Sequence, residues 1–242
     1  MRYRPPFAVA SGLPFRHNGV MVQDLAEALE ILKNSGKMLR PVLDGFDRRL
    51  KKYGADPRSA FWKDAERQTR RYQILSRLFH EGDRNGGITI TDFGCGYGAF
   101  FDYLETRPVM EGSRYIGIDM SAGMIAEARR RIRDPRATFR HSLIAAEDAD
   151  YTFACGTYNM NMDAGRDEWA AYIKASLAQL WSRTQKALGF NLLGASAAEK
   201  YPGLYYTEPD PYVNFCRLHL SPDITITDDR PLPDFTIFVR RP

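Results

Sequence analysis

Two aspartates and a run of glycines are the residues of this chain whose types and spacing could do chemistry. Asp92-Phe93-Gly94-Cys95-Gly96-Tyr97-Gly98 completes the apolar run Ile88 to Phe93, so a strand should enter a glycine-rich turn that opens a helix. Glycine tolerates positive φ in such a turn, and without a Cβ it lets a ligand lie directly on the backbone. The helix start beyond it offers free N–H groups and the positive end of a dipole. Asp119 ends the next β-rich run, Tyr115 to Asp119, where an acidic side chain can take both hydroxyls of a ribose. Gly94-x-Gly96-x-x-Ala99 also satisfies a loose dinucleotide fingerprint. Asp92 argues against that reading, because a carboxylate sits badly beside a pyrophosphate, whereas it accepts a hydrogen bond from an ammonium group. Asp92 and Asp119 therefore bracket a ribose-bearing ligand with an amino group, and an NAD-dependent oxidoreductase is the alternative.

The elements that must position these groups alternate after Gly87. Ile88 to Phe93, Tyr115 to Asp119, Ala137 to His141, Tyr151 to Cys155 and Gly189 to Leu193 read as strands. Helical stretches fall between them at Phe100 to Glu105, Ser121 to Ile132 and Glu168 to Lys186. Alternation of this kind implies right-handed βαβ units and a parallel sheet covered on both faces. Asp223 to Thr227 and Phe235 to Val239 flank a turn at Arg230 to Pro233, too short for a parallel crossover, so they form an antiparallel pair. The expected fold is α/β, with a mixed sheet of seven strands, parallel except for its last. Before Gly86, helical spacing at Val22 to Lys33, Met38 to Tyr53 and Arg70 to Phe79 predicts a helical N-terminal extension. The chain thus divides into residues 1–86, a helical cap, and 87–242, the sheet domain.

Composition limits the classes of function. The 242 residues are 44% hydrophobic and 26% charged, an ordinary globular mixture. No apolar run approaches the roughly 18 residues of a membrane span, and Met1 to Arg16 lacks the apolar stretch of a signal peptide. Cys95, Cys155 and Cys216 are far apart, as are the four histidines, which disfavours disulfides and a metal site and fits a reducing, cytoplasmic setting. Residues 1–87 hold 17 basic and 10 acidic side chains, an excess of +7, whereas the remainder holds 17 and 20, a balance of −3. A basic excess of this size suits either an anionic partner or a solvated helix surface. Arg129-Arg130-Arg131 and Arg133 follow the amphipathic positions Ile125, Ala128 and Ile132, and so belong to a solvated face.

Asp92-Phe-Gly94-Cys-Gly96-Tyr-Gly98, followed by Tyr115-Ile-Gly-Ile-Asp119-Met-Ser121 and Met124-Ile-Ala-Glu-Ala-Arg129, resembles motif I and its successor in class I S-adenosylmethionine-dependent methyltransferases. The resemblance covers roughly residues 86–241, including the terminal strand Phe235-Thr-Ile-Phe-Val-Arg. It implies a Rossmann-like sheet in the order 3-2-1-4-5-7-6, with S-adenosylmethionine over the carboxyl ends of the first two strands. By position it implies that Asp92 faces the cofactor's amino group, that Gly94, Cys95 and Gly96 line the methionine moiety, that Asp119 holds the ribose, and that Met120 packs on the adenine. Ser142 and Leu143 fall at the adenine edge, where the family often has an acidic residue that Glu147 or Asp148 could supply.

The same resemblance places the substrate-facing turn after the fourth strand, at Gly156-Thr157-Tyr158-Asn159, with Gly156 on the cofactor side. The Pro-Pro pair that handles exocyclic nitrogens of bases is missing there, since no proline lies between Pro135 and Pro202. Tyr158 and Asn159 could orient an acceptor hydroxyl or amine as catalytic residues, or be a half-buried ring and a turn residue. Trp62, Gln68 and Arg71-Tyr72 match a segment that in similar small-molecule methyltransferases meets the cofactor's carboxylate, and a guanidinium forks well onto a carboxylate. Arg71 could equally be a surface residue beside an inward Tyr72. The aromatic, proline-rich stretch Ala195 to Leu220 could roof an acceptor pocket. The function expected is methyl transfer to an O or N atom of a small molecule, without a nucleic-acid or membrane partner. A methyltransferase acting on RNA or protein and a binding protein without turnover are the alternatives.

Overall fold

The computed structural model describes residues 21–242, the side chains of 21–24 aside, so the leader reading of Met1 to Arg16 lies outside the described residues. Its centre is a sheet of β1 (Thr89–Phe93), β2 (Arg114–Asp119), β3 (Ala137–His141), β4 (Ala149–Ala154), β5 (Thr184–Gly194), β6 (Tyr206–Thr207), β7 (Ile224–Asp228) and β8 (Asp234–Arg240). The main path runs β3-β2-β1-β4-β5-β8-β7, with β6 paired to β5. Parallel ladders join β1 to β2 and β4, β2 to β3, and β4 to β5, and β8 runs antiparallel to both β5 and β7. Once β6 is set aside, this is the expected order with one antiparallel strand.

Among the described residues seven α-helices flank the sheet: α1 (Met21–Asn34), α2 (Gly36–Tyr53), α3 (Ala65–Leu75), α4 (Ala99–Leu104), α5 (Ala122–Arg131), α6 (Arg166–Trp181) and α7 (Asp210–His219). Strand alternation sends neighbouring side chains to opposite layers. Ile116 and Ile118 of β2 join one core with α1, α2, α6 and α7, while Tyr115 joins the other with α3, α4 and α5. Ile237 and Val239 of β8 likewise face the first core and Phe238 the second. The sheet is therefore covered on both sides, as parallel strands require. In α6, Trp169, Ile173, Leu177, Leu180 and Trp181 are all buried, because that helix lies between the sheet and α1.

Several boundaries differ from expectation for local reasons. The third helix starts at Ala65 rather than Arg70, since Asp64 caps it by accepting a hydrogen bond from the Arg67 N–H. The helix expected to reach Lys186 ends at Trp181, and β5 begins at Thr184, where its hydroxyl meets that of Thr152 in β4 at 2.7 Å. The stretch Ala195 to Leu220 contains β6 and α7 rather than irregular chain alone. Helices α1 and α2 pack on the sheet: Ala28, Leu32, Leu39 and Val42 belong to the same buried cluster as Phe93 and Ile116.

Candidate functional site

The turn after β1 is held by backbone bonds before any ligand is considered. The N–H groups of Gly94 and Cys95 both donate to the Ile118 carbonyl, at 2.7 and 3.0 Å, so the turn is tied to β2. Gly96 has φ of +54°, and a Cβ built on it would meet nothing within 4 Å, so its backbone forms an open floor. Asp119, at the end of β2, accepts from the Gly96 N–H at 2.9 Å with one carboxylate oxygen and from the Ser121 N–H at 2.8 Å with the other. Each oxygen keeps a lone pair for a further donor. Burial raises the Asp119 carboxyl above its usual range, and the two backbone bonds oppose the rise.

Asp92 stands beside it on β1, 2% exposed, and accepts a hydrogen bond from the Tyr115 hydroxyl. Burial pushes its carboxyl up to about 7, against the Tyr115 bond and with help from the nearby Asp119 charge. A cation brought close to Asp92 would reverse that shift by favouring the ionised form. Burial also raises the thiols of Cys95 and Cys155, which leaves both as poor nucleophiles.

Asp92, Gly94, Cys95, Gly96, Asp119, Met120, Ser142, Leu143 and Gly156 line one cleft at the carboxyl ends of the strands. Leu39, Val42 and Phe46 of α2 roof it together with Trp62, leaving about 80 Å³ of free space. The donor set, two carboxylates and a glycine floor, fits a ribose-bearing ligand with an amino group. Sequence reasoning did not find this roof, because nothing local in α2 distinguishes a face packed on a cleft from one packed on a core. Glu147 and Asp148 do not reach the cleft; they pair with Arg140 and Arg183, at 3.4 and 3.2 Å.

A second, larger cavity of about 1580 Å³ adjoins the first, and the two share Phe46, Ala60, Trp62 and Gly156. Its walls come from the α2–α3 segment, the turn after β4, the Ala195 to Pro209 stretch and the β7–β8 hairpin. Phe61, Met160, Met162, Leu204, Leu232 and Phe235 give it a largely apolar wall, to which charged side chains such as Lys63, Arg67, Glu199, Glu208 and Asp228 are added, and the aromatic, proline-rich insertion forms part of that wall.

Asn159 lies in the wall of this larger cavity at 8% exposure, and its side-chain Oδ1 is buried without a hydrogen-bond partner. Tyr158 is placed differently. Its hydroxyl meets the Ser176 hydroxyl at 2.8 Å, its ring packs beside Phe93 and Tyr172, and it lines neither cavity. Tyr158, expected to orient an acceptor, thus stands in the core beside both cavities rather than in the wall of either. Arg71, expected on the cofactor, faces the larger cavity instead, with its guanidinium forked onto Asp234.

The arginines of α5 are engaged by their neighbours: Arg129 donates to the Phe139 carbonyl, Arg130 pairs with Glu127 at 2.7 Å and Arg131 with Asp102 at 2.9 Å. Among the described residues no helix is long and apolar enough to cross a membrane. No group of three or more His, Cys, Asp or Glu among those residues is arranged to hold a metal ion.

Comparison with known proteins agrees with this geometry. The profile of a family described as a methyltransferase domain matches residues 90–180. A Mycobacterium tuberculosis (strain H37Rv) protein, provisionally named a methyltransferase, is 33% identical over 157 residues, covering 64% of this chain and 93% of its own length. Magnesium protoporphyrin IX methyltransferase from Synechocystis PCC 6803, solved with bound S-adenosylmethionine, superposes with a TM-score of 0.56 at 15% identity, over 89% of this chain and 97% of that one. A methyltransferase from Aquifex aeolicus gives 0.52 at 14% identity, over 73% and 93%. The last two show likeness of fold.

Proposed function

Because this chain belongs to the class I S-adenosylmethionine-dependent methyltransferases, we propose that it methylates an O or N atom of a small molecule held in the larger cavity. The observation that carries this reading is the shared wall: among the described residues the cleft of Asp92 and Asp119 and the larger cavity are both lined by Phe46, Ala60, Trp62 and Gly156. When bound, S-adenosylmethionine supplies a methyl on a positively charged sulfur, which is already an activated leaving group. In this reading Asp119 and the Gly96 floor hold the ribose side of the cofactor, Asp92 faces its amino group, and Met120, Ser142 and Leu143 flank the adenine. The turn at Gly156 marks the point of transfer. Residues 1–86 act as the cap and 87–242 as the cofactor domain.

The chain's own contribution to the reaction is alignment and exclusion of water. Asn159 is the residue suited to orient the acceptor. Its buried, unpartnered Oδ1, once the turn shifts to uncover it, would accept a hydrogen bond from an O–H or N–H beside the atom methylated, and leaving such a group unmet costs about 1–3 kcal/mol. The apolar walls and the size of the cavity favour an acceptor with a substantial apolar body. In support, one structural neighbour, the Synechocystis enzyme, is named for a porphyrin substrate, itself a large apolar ring system.

The test is transfer of labelled methyl from S-adenosylmethionine to a pool of low-molecular-weight acceptors and, in parallel, to RNA and protein. Label entering the small-molecule fraction, and lost with Asn159→Leu, supports the reading. Label entering only RNA, with binding that weakens steeply with salt, would replace it by the reading that the +7 balance of residues 1–87 favours.

A further inference from the structure

Arg71 and Asp234 are 163 positions apart in the chain and meet inside it, the Arg71 Nε donating to one Asp234 oxygen at 3.1 Å and Nη2 to the other. They are 5% and 4% exposed. The bonds continue beyond the pair. Asp234 Oδ1 also accepts from the side-chain amide of Asn191 at 2.7 Å, and Asn191 Oδ1 accepts from the Gly156 N–H at 2.7 Å. On its other side the Arg71 guanidinium lies 4.5 Å from the centre of the Trp62 ring. That ring returns to Gly156: a Cβ there would stand 2.3 Å from Trp62 Cη2, and Gly156 has φ of +67°. Gly156, Asn191, Asp234, Arg71 and Trp62 thus close a ring of contacts drawn from β5, β8, α3 and two turns. Two of its members, Trp62 and Gly156, belong to the wall shared by the two cavities.

A buried ion pair is weak evidence for stability, since well-packed apolar side chains in its place are often as stable or more so. What a fork of bonds supplies is direction, and here the bonds and ring contacts converge on Trp62 and Gly156, which line both cavities. We propose that Arg71, Asp234 and Asn191 are positioning residues that hold Trp62 against the Gly156 turn, and that this ring sets the aperture through which methyl passes. Arg71 therefore does not serve the cofactor's carboxylate. The inference rests on the methyltransferase reading and deepens it by naming what shapes the point of transfer.

Two ligands separate the possibilities: S-adenosylhomocysteine, which carries the amino-acid carboxylate, and 5′-methylthioadenosine, which lacks it. Calorimetric affinities for both would be measured with the wild type, Arg71→Lys and Asp234→Asn. Acrylamide quenching of tryptophan emission would follow Trp62, because Trp169 and Trp181 are each 1% exposed and a Trp62→Phe variant supplies the background. The expected result is a loss of about tenfold for both ligands, the scale of one charge-assisted hydrogen bond. Their affinity ratio would stay unchanged, and quenching of Trp62 would increase in both variants. Selective weakening of S-adenosylhomocysteine in Arg71→Lys would overturn the proposal in favour of a carboxylate contact. Unchanged affinities and quenching in Asp234→Asn, which keeps the shape of the side chain and so guards against a misfolded Arg71 variant, would overturn it too. Failure of the wild type to bind S-adenosylhomocysteine would instead remove the methyltransferase reading and this inference with it.

Discussion

The cleft takes its two carboxylates and its glycine floor from two short stretches, Asp92 to Gly98 and Asp119 to Ser121, whereas the larger cavity is walled by Phe46, Trp62, Asn159, Leu204 and Phe235, which no single stretch of chain contains. The cleft is tied by backbone bonds, with Gly94, Cys95 and Gly96 all fastened to β2 or its terminal carboxylate. The cavity is tied by side chains reaching across the fold, Arg71 to Asp234 and Asn191 to Gly156. A ligand with a constant shape can be met by a local turn geometry. An acceptor that differs from one enzyme to the next is met by loops and a hairpin, which can vary without disturbing the sheet. The difference teaches that these two halves of one reaction should respond to mutation separately except through the Trp62 and Gly156 wall they share, and the following outcomes would break or sharpen that separation.

The largest effect is expected at Asp119. Replacement by Ala removes the carboxylate proposed to hold the ribose and leaves the Gly96 and Ser121 N–H groups without their acceptor. Calorimetry should show affinity for S-adenosylhomocysteine falling about a hundredfold, the scale of a lost charged hydrogen-bond pair. An undiminished affinity would move the cofactor away from this cleft. The pH dependence comes next. Asp92 is raised from 3.8 to about 7 in the folded chain, so the folded state holds a proton the unfolded chain gives up. Its contribution to stability is therefore complete below about pH 4, is lost as pH rises towards 7, and stays level above that. Binding of a cofactor ammonium should do the opposite and favour the carboxylate. Affinity for S-adenosylhomocysteine is thus expected to fall by up to about tenfold per unit below pH 7, with a proton released on binding. Affinity that is flat from pH 5.5 to 8 would show that Asp92 does not face the amino group.

The smallest effect belongs to the cavity side. Asn159→Leu removes a buried oxygen that has no partner, so the ligand-free protein should gain about 1 kcal/mol, seen as a Tm higher by about 2–4 °C, with cofactor affinity unchanged. A fall in Tm would mean that Asn159 serves the fold rather than an acceptor. Altered cofactor affinity would mean that cleft and cavity are not separate.

How much of this was legible beforehand follows the same division. Asp92, the glycines and Asp119 could be read because each needs only its neighbours in sequence: a strand, a tight turn and a strand end. Alternation and the short turn before Phe235 made the parallel strands and the antiparallel last one legible, the family resemblance implied their order, and the two-residue β6 was missed, since a strand that short carries no periodicity. Arg71 and Tyr158 show where such reading stops. Both stand in motif-like positions, yet Arg71 turns to a partner 163 positions away and Tyr158 to Ser176 inside the core.

The sequence by itself determined the sheet, the glycine turn and the kind of cofactor that suits it, because those depend on backbone conformation and on side-chain alternation over a few residues. Only the tertiary structure decided that α2 roofs the cleft, that Asn159 keeps an unmet oxygen in the wall of a large apolar cavity, and that Arg71 belongs to Asp234. Those depend on which distant side chains the packed layers bring within about 3 Å, the reach of a hydrogen bond, and spacing along the chain carries no record of that.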